Sequence, residues 1–421
     1  MAKIYIETYG CSLNHADSHA MVALLEDADF TIVSSVEEAD LVILNTCTVK
    51  TPTELKILRR IKEIEKPMVI AGCMPQAEPN KKELSGYAQI GVFQISNIVQ
   101  IVEEALEGNP IVALAHQEYN RLEIPHSSKD VVDIIPICQG CLGSPCTYCL
   151  IKAARGNLFS YDPKAILRRV QDSVDAGKKE IWLTAQDTGA YGKDIGTNLP
   201  ELLKLLTQVN GSYWLRVGMA NPNHVKEYLN ELIEVFKHPR IFKFLHIPVQ
   251  SGNNEVLQKM KRKYTREDYL EIVKSFKEAI PKITISTDII VGFPGETDKQ
   301  FQDSISLLKE IKPGVLNLSR FWPRPGTEAA KMKQCAGTTI KNRSRGMNET
   351  FRKVGFEVNH DWLGWSGNVV VSEKGTGDTW KARNLSYKPI VIPSTENLLG
   401  KLIKVKVFDI TSIDLRAKKI V

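Results

Sequence analysis

Long apolar runs are absent from this sequence. No segment approaches the roughly 18 uninterrupted apolar residues that a helical membrane span requires. The longest, Ile283–Phe293, is interrupted by Thr, Ser and Asp. The opening MAKIYIETYG reads as a strand and lacks the apolar centre of a secretion signal. Low-complexity tracts and long repeat arrays are missing too. Neither sign of charge dominates, the net being +6 over 421 residues. These absences argue against a membrane or secreted protein and lead us to expect a cytoplasmic one. There thiols stay reduced, and cysteines more often bind metal than pair as disulfides.

What is present is ordinary in bulk. Hydrophobic residues make up 43% and charged residues 25%, in a chain long enough for two or three domains. The positive excess is unevenly placed. Residues 363–421 hold ten Lys or Arg against five acids, which is nearly all of it. That density suits either a solvated basic face or a module that follows a phosphate backbone.

The patterning is α/β. KIYIETYGC, LVILNTC, PMVIAGC and IGVFQIS alternate with helical stretches, which predicts an open, mostly parallel sheet over residues 1–115. Residues 116–132 are rich in charge and Ser and read as a linker. Six further strand candidates follow: DIIPIC, EIWLTAQ, YWLRVGM, KFLHIPVQ, ITISTDIIVG and VLNLSRF. Separated by helices, they predict a partial (β/α)6 barrel over 133–338, short of the full eight units. A polar helix at 339–362 leads into short alternating segments, which predict a small all-β barrel at 363–421.

Eight cysteines are present. Cys11, Cys47 and Cys73 each close one of the first three strand candidates. Ends of parallel strands share one edge, where open α/β sheets bind ligands. Each alone suits a small buried residue; their common position makes convergence on a metal the better reading. Cys138, Cys141, Cys146 and Cys149 form ICQGCLGSPCTYC, where the first barrel strand should end. By spacing alone this window serves a structural zinc or an iron–sulfur cluster equally. Its place at the catalytic mouth of a barrel favours a cluster on three thiolates with one iron left open. Cys335 stands alone and receives no role.

Those residues carry a resemblance. GCLGSPCTYC followed by ARGNLFSY resembles the radical-SAM loop of the methylthiotransferase family. TYGCSLNHAD, LNTCTV and AGCMPQ resemble that family's N-terminal cluster domain. LTAQDTGAYG, LHIPVQSGNNEVLQKMKRKYT, DIIVGFPGET and FWPRPGT look like its later motifs, and the last segment resembles its TRAM domain, an OB-like RNA-binding barrel. The match spans essentially the whole chain, and its wording is closest to the archaeal and eukaryotic branch.

The resemblance implies an enzyme that puts a methylthio group on N6-threonylcarbamoyladenosine beside the anticodon of tRNA. It implies two 4Fe–4S clusters, one on Cys11, Cys47 and Cys73 and one on Cys141, Cys146 and Cys149. S-adenosyl-L-methionine (SAM) would lie near Thr184, Gln186, Asp187, Gln250, Ser251, Arg262 and Asp288. Arg155 and Arg324 are expected to touch RNA or substrate. The tRNA anticodon stem-loop is the expected partner, with an electron donor such as flavodoxin or ferredoxin, and the chain is expected to be a monomer. Removing an aromatic C–H hydrogen lies beyond acid–base side chains, so a cofactor has to supply a radical. Of the aromatics in the last segment, Trp365, Trp380 and Tyr387 could stack on bases or fill the small barrel, and Phe408 reads as core.

Two departures from the family pattern stand out. Cys141, Cys146 and Cys149 read C-x4-C-x2-C, one residue longer than the family's usual loop, and Cys138 is unusual at its position. Gln186 stands where the family usually has an acid. Rival readings are a methylthiotransferase of another tRNA adenosine or of a ribosomal-protein aspartate, or a zinc-stabilised RNA-binding protein without catalysis.

Overall fold

The computed structural model describes residues 2–117, 120–126 and 131–420. Part of the linker expected at 116–132 therefore lies outside the described residues. Six strands build the first sheet: β1 (Lys3–Thr8), β2 (Thr31–Ile32), β3 (Leu41–Thr46), β4 (Met68–Gly72), β5 (Ala88–Gly91) and β6 (Val112–Ala113). They run parallel in the order β2-β1-β3-β4-β5-β6. β3 and β4 are buried at every residue, which explains why both read as unbroken apolar runs. The edge strands β2 and β6 are two residues each, too short to leave a pattern.

A second layer begins at β7 (Val132–Pro136). A small antiparallel ribbon, β8 (Cys138–Gln139) with β9 (Phe159–Ser160), flanks the cysteine loop. The curved sheet continues through β10 (Glu180–Thr184), β11 (Trp214–Val217), β12 (Phe244–His246), β13 (Thr284–Val291) and β14 (Val315–Arg320). Two parallel triplets, β7-β10-β11 and β12-β13-β14, join where Leu215 bridges Ile241. Leu215 N donates to Arg240 O at 2.7 Å and Phe242 N to Leu215 O at 2.9 Å. β7 and β14 stay unpaired with each other among the described residues. The result is the open six-strand barrel that the sequence predicts.

Helices Arg266–Ala279 and Asp298–Ile311 start where expected because Thr265 and Thr297 each form a capping box. Helical periodicity over His224–Phe236 predicts one helix, but the structure has two, Pro222–Glu227 and Leu229–Phe236. Tyr228 breaks it at φ −135°, with its hydroxyl donating to Gly189 O at 2.5 Å inside the barrel. The polar helix spans Gly337–His360 and packs along β14.

The last five strands, β15 (Ser366–Lys374), β16 (Thr379–Arg383), β17 (Pro389–Pro393), β18 (Leu402–Ile410) and β19 (Leu415–Lys419), close into a small barrel. Phe408 corrects our expectation: it is exposed, not core. Alternation along β18 turns Ile403, Val405 and Val407 inward and Phe408 outward, and a bulge between Val407 and Asp409 brings Ile410 back inside. The small barrel stands on the N-terminal ends of the larger barrel's strands. Lys243 N donates to Leu385 O at 2.7 Å, and Thr284 Oγ1 to Ser386 O at 2.6 Å. Tyr387 packs between Phe242 and Phe244, with ring centroids 4.8 and 4.7 Å away.

Candidate active site

Parallel register sets the first cysteine group. Thr8 pairs with Asn45, and Thr46 with Gly72, so β1, β3 and β4 end together. Cys11, Cys47 and Cys73 follow those ends on one edge. Gly10 makes the approach possible: at φ +109°, a Cβ there would lie 2.7 Å from Cys47 Cβ. Asn14 sits in the middle of the group. Its amide donates to Tyr9 O at 2.8 Å and Thr46 O at 2.9 Å, and its Oδ1 lies 3.8 Å from Cys11 Sγ and 3.6 Å from Cys73 Sγ.

Burial pushes the Cys47 thiol up to about 12, and the neighbouring Cys73 adds to the rise. Cys73 is raised by burial as well, while the Arg155 guanidinium beside it pulls the other way. Crowded, desolvated thiols resist ionising unless a cation takes their charge, and soft thiolates suit iron–sulfur clusters or zinc. Arg155 is 1% exposed, and its Nε and Nη1 have no hydrogen-bond partner among the described residues. Buried donors left open next to three thiols fit a sulfur-rich anionic group in that cage.

The second group lies across a short gap. The helix Cys73–Ala77 packs against the helix Ile151–Arg155, which directly follows the cysteine loop, and Cys73 shares a core with Ala154. Cys141, Cys146 and Cys149 line one pocket. Cys138 is not among them: it is fully buried in the barrel core, with its Sγ 3.7 Å from Asp187 O. The window thus presents three thiols to the pocket, not four. The extra residue is absorbed in Leu142–Pro145, which is exposed throughout. Thr147 anchors the loop, with N donating to Met260 O at 3.3 Å and Oγ1 to Lys259 O at 3.0 Å. Gly140, at φ +76°, has no room for a Cβ, which would fall 1.8 Å from Asn157 O. Burial raises Cys149 to about 11, with Cys146 adding to it, and Cys141 is raised by burial and then by Cys149.

The residues expected around SAM divide. Asp187 and Arg262 line the same pocket as the three thiols. Arg262 Nη1 lies 3.2 Å from Cys146 Sγ, and Nη2 donates to Asn221 Oδ1. Asp187 accepts from Asn221 Nδ2 at 2.5 Å. Gln186 Oε1 accepts from Gly140 N at 2.7 Å, so it steadies the turn before Cys141. Thr184 Oγ1 meets Ser12 Oγ at 2.6 Å, beside Cys11. Gln250 sits at φ +69°, with its backbone bonded to Asp288 O and Ile290 N. Ser251 is fully buried, and its hydroxyl accepts from Asn253 N at 3.3 Å, a structural duty. Asp288 faces the barrel axis with His246 Nε2 at 3.0 Å and Asn317 Nδ2 at 2.6 Å. Burial pushes its carboxyl up, but these bonds, the His246 charge and the more distant Lys50 hold it below the usual range.

Of the two arginines expected to touch RNA or substrate, Arg155 is buried away from any surface, whereas Arg324 lines the cleft between the two halves. Arg155 Nη2 donates to Asp17 Oδ2 at 2.7 Å and Asn14 Oδ1 at 2.8 Å. Arg324 is 4% exposed and pairs with Glu54 and, at 3.2 Å, with Glu78, donating also to Thr48 Oγ1 at 2.6 Å. Both arginines tie the barrel to the first sheet, since desolvated guanidinium must be matched by buried acids. Sequence reading missed Asn14 and Asp17. The available signal was a run of polar side chains three apart, Cys11, Asn14 and Asp17, at the start of the helix Ser12–Asp27.

Between the sheet and the barrel lies a cleft with a volume of ≈ 100 Å³. Cys149 borders it on one side and Thr48–Lys50, directly after Cys47, on the other. Trp322, Phe321 and Tyr148 supply aromatic walls.

Comparison with known proteins agrees with this arrangement. The family model described as Radical SAM superfamily matches residues 135–308, and the one described as Uncharacterized protein family UPF0004 matches residues 3–91. A probable threonylcarbamoyladenosine tRNA methylthiotransferase of Pyrococcus horikoshii is 44% identical over 400 residues, 93% of this chain and 94% of that protein. The human threonylcarbamoyladenosine tRNA methylthiotransferase is 41% identical over 420 residues, 97% of this chain and 72% of that one. The radical S-adenosylmethionine methyltransferase TsrM of Kitasatospora setae shares the fold, with a TM-score of 0.55 at 14% identity over 78% of this chain and 75% of that chain.

Proposed function

Because the chain belongs to the threonylcarbamoyladenosine tRNA methylthiotransferase family, we propose that its two cysteine groups serve one reaction at the cleft between them. The chain is a radical-SAM methylthiotransferase, and its reaction converts N6-threonylcarbamoyladenosine in tRNA to the 2-methylthio derivative. A radical-SAM 4Fe–4S cluster, with SAM bound, supplies the one-electron chemistry that no side chain provides. In our reading Cys141, Cys146 and Cys149 would hold that cluster beside the SAM-binding residues. Cys11, Cys47 and Cys73 would hold a second one, which would supply sulfur.

The other residues then take supporting roles. Arg262 and Asp187 bind and orient SAM beside the loop, with Thr184, Gln250 and Asp288 along the strand ends. Gln186 keeps the loop's entry turn in place. Arg155 and Arg324 hold the two halves together and exclude water between them. The sheet at 1–115, the barrel at 133–338, the helix at 339–362 and the small barrel at 363–421 act as units, the last touching RNA. No helix among the described residues is long and apolar enough to cross a membrane. We place the reaction in the cytoplasm, with a flavodoxin- or ferredoxin-type donor and a monomeric enzyme.

The observation that carries this reading is the joint bordering of one cleft by Cys149 and by the segment after Cys47. Its test is anaerobic reconstitution with iron and sulfide, followed by incubation with SAM, reductant and tRNA carrying the threonylcarbamoyl group. Mass spectrometry should find the 2-methylthio nucleoside. A colourless zinc protein that leaves the nucleoside unchanged would overturn the reading.

A further inference from the structure

The cleft that Cys149 borders has an unusual charge pattern. Lys50, Arg320 and Arg324 line it, and no Asp or Glu does. Arg324 is already matched by Glu54 and Glu78. Lys50 and Arg320 are exposed, and neither forms a salt bridge among the described residues. They come from different halves of the molecule: Lys50 follows the end of β3, and Arg320 is the last residue of β14. The helix Thr51–Glu63 begins directly after Lys50 with no side chain capping it, which adds positive character on that side. Trp322, a large indole that is 37% exposed, lines the same cleft.

The walls suit a modified base. An indole face stacks on any base. The base implied by the family is not neutral, because the threonylcarbamoyl substituent ends in a free carboxylate. A purely apolar N6 substituent, such as isopentenyl, offers no charge for the two cations to pair with.

We propose that Lys50 and Arg320 form a carboxylate-recognising subsite, which pairs with the threonyl carboxylate while Trp322 stacks on the adenine. The subsite sets specificity between N6 substituents and takes no part in bond making. It rests on the methylthiotransferase reading and adds the determinant of substrate choice.

The test uses the reconstituted full-length holoenzyme and three anticodon stem-loop RNAs. One carries threonylcarbamoyladenosine, one its methyl ester and one unmodified adenosine. Anaerobic fluorescence anisotropy should show the acid bound about tenfold more tightly than the ester, as expected for loss of a charged hydrogen bond. Lys50→Gln and Arg320→Gln should each shrink that preference while retaining wild-type iron content. Equal binding of acid and ester by the wild type overturns the proposal. So does a variant series in which all three RNAs weaken alike, because the two cations would then hold backbone phosphates. A separate assay for the 2-methylthio product on whole tRNA speaks to the parent reading alone.

Discussion

Arg155, on the helix that follows Cys149, and Asp17, on the helix that follows Cys11, meet through Nη2 and Oδ2 at 2.7 Å, with both side chains out of solvent. Arg121 reaches the other carboxylate oxygen and also donates to Val92 O. One buried acid therefore sits between two guanidinium groups, and the pair spans the two cysteine-bearing halves. Removing one partner of such a pair costs about 3–5 kcal/mol. Arg121 still matches Asp17 after Arg155→Gln, so that variant should lose less than this, about 1–3 kcal/mol, in urea unfolding. The same variant should lose iron from the first cysteine group on reconstitution, since its cage is held by the same side chain.

Iron content separates the cysteines. Alanine at any of Cys11, Cys47 or Cys73 should reduce about eight irons per chain to about four, as should alanine at Cys141, Cys146 or Cys149. Cys138→Ala should retain the full complement, because its sulfur points into the barrel core. Loss of iron in Cys138→Ala would mean that the loop binds through four thiols.

Acid stability has an identifiable contributor. Asp133 is buried, which raises its pKa, but hydrogen bonds and charge from His126 and a bond from Ser173 outweigh this and bring it down from 3.8 to about 2. A depressed folded-state value stabilises above the unfolded value and is lost as pH falls through the folded one. Asp133→Asn should therefore be less stable than wild type by about 2 kcal/mol at pH 5. The difference should close as pH approaches 2. Parallel unfolding curves at a series of pH values check this.

Docking of the small barrel depends on Tyr387. It holds a left-handed φ of 58° and packs against Phe242 and Phe244. The Arg216 guanidinium is stacked among Trp182, Phe244 and Tyr387, with centroids at 4.7, 5.1 and 5.4 Å. Tyr387→Ala should cost about 3–5 kcal/mol by analogy with other buried aromatic truncations. Limited proteolysis should then release the C-terminal barrel while iron content stays unchanged.

Strand-end cysteines, the six barrel strands and the five short strands were legible because each rests on a local pattern. A strand shows its period, and a helix such as Arg266–Ala279 shows its cap. The roles of Arg155 and Arg324 were not legible. An arginine near a motif reads the same whether it meets RNA or a buried acid, and Asp17 and Glu54 lie more than a hundred residues away from their partners. Cys138 was ambiguous for a related reason. Spacing counts thiols, whereas the direction of β8 decides which of them face the pocket. The break at Tyr228 was hidden because its cause, Gly189 O, lies on another element.

The small barrel and the cysteines occupy opposite poles of the larger one. β13 alone runs eight residues from the base, beside Ser386, toward the mouth, about 26 Å at the usual rise of a strand. A nucleic acid gripped at both poles must lie along the outside of the molecule for at least that length. On the reading that the small barrel holds RNA, the fold would act as a ruler, admitting a reacting base only at a set remove from the place where its backbone is held.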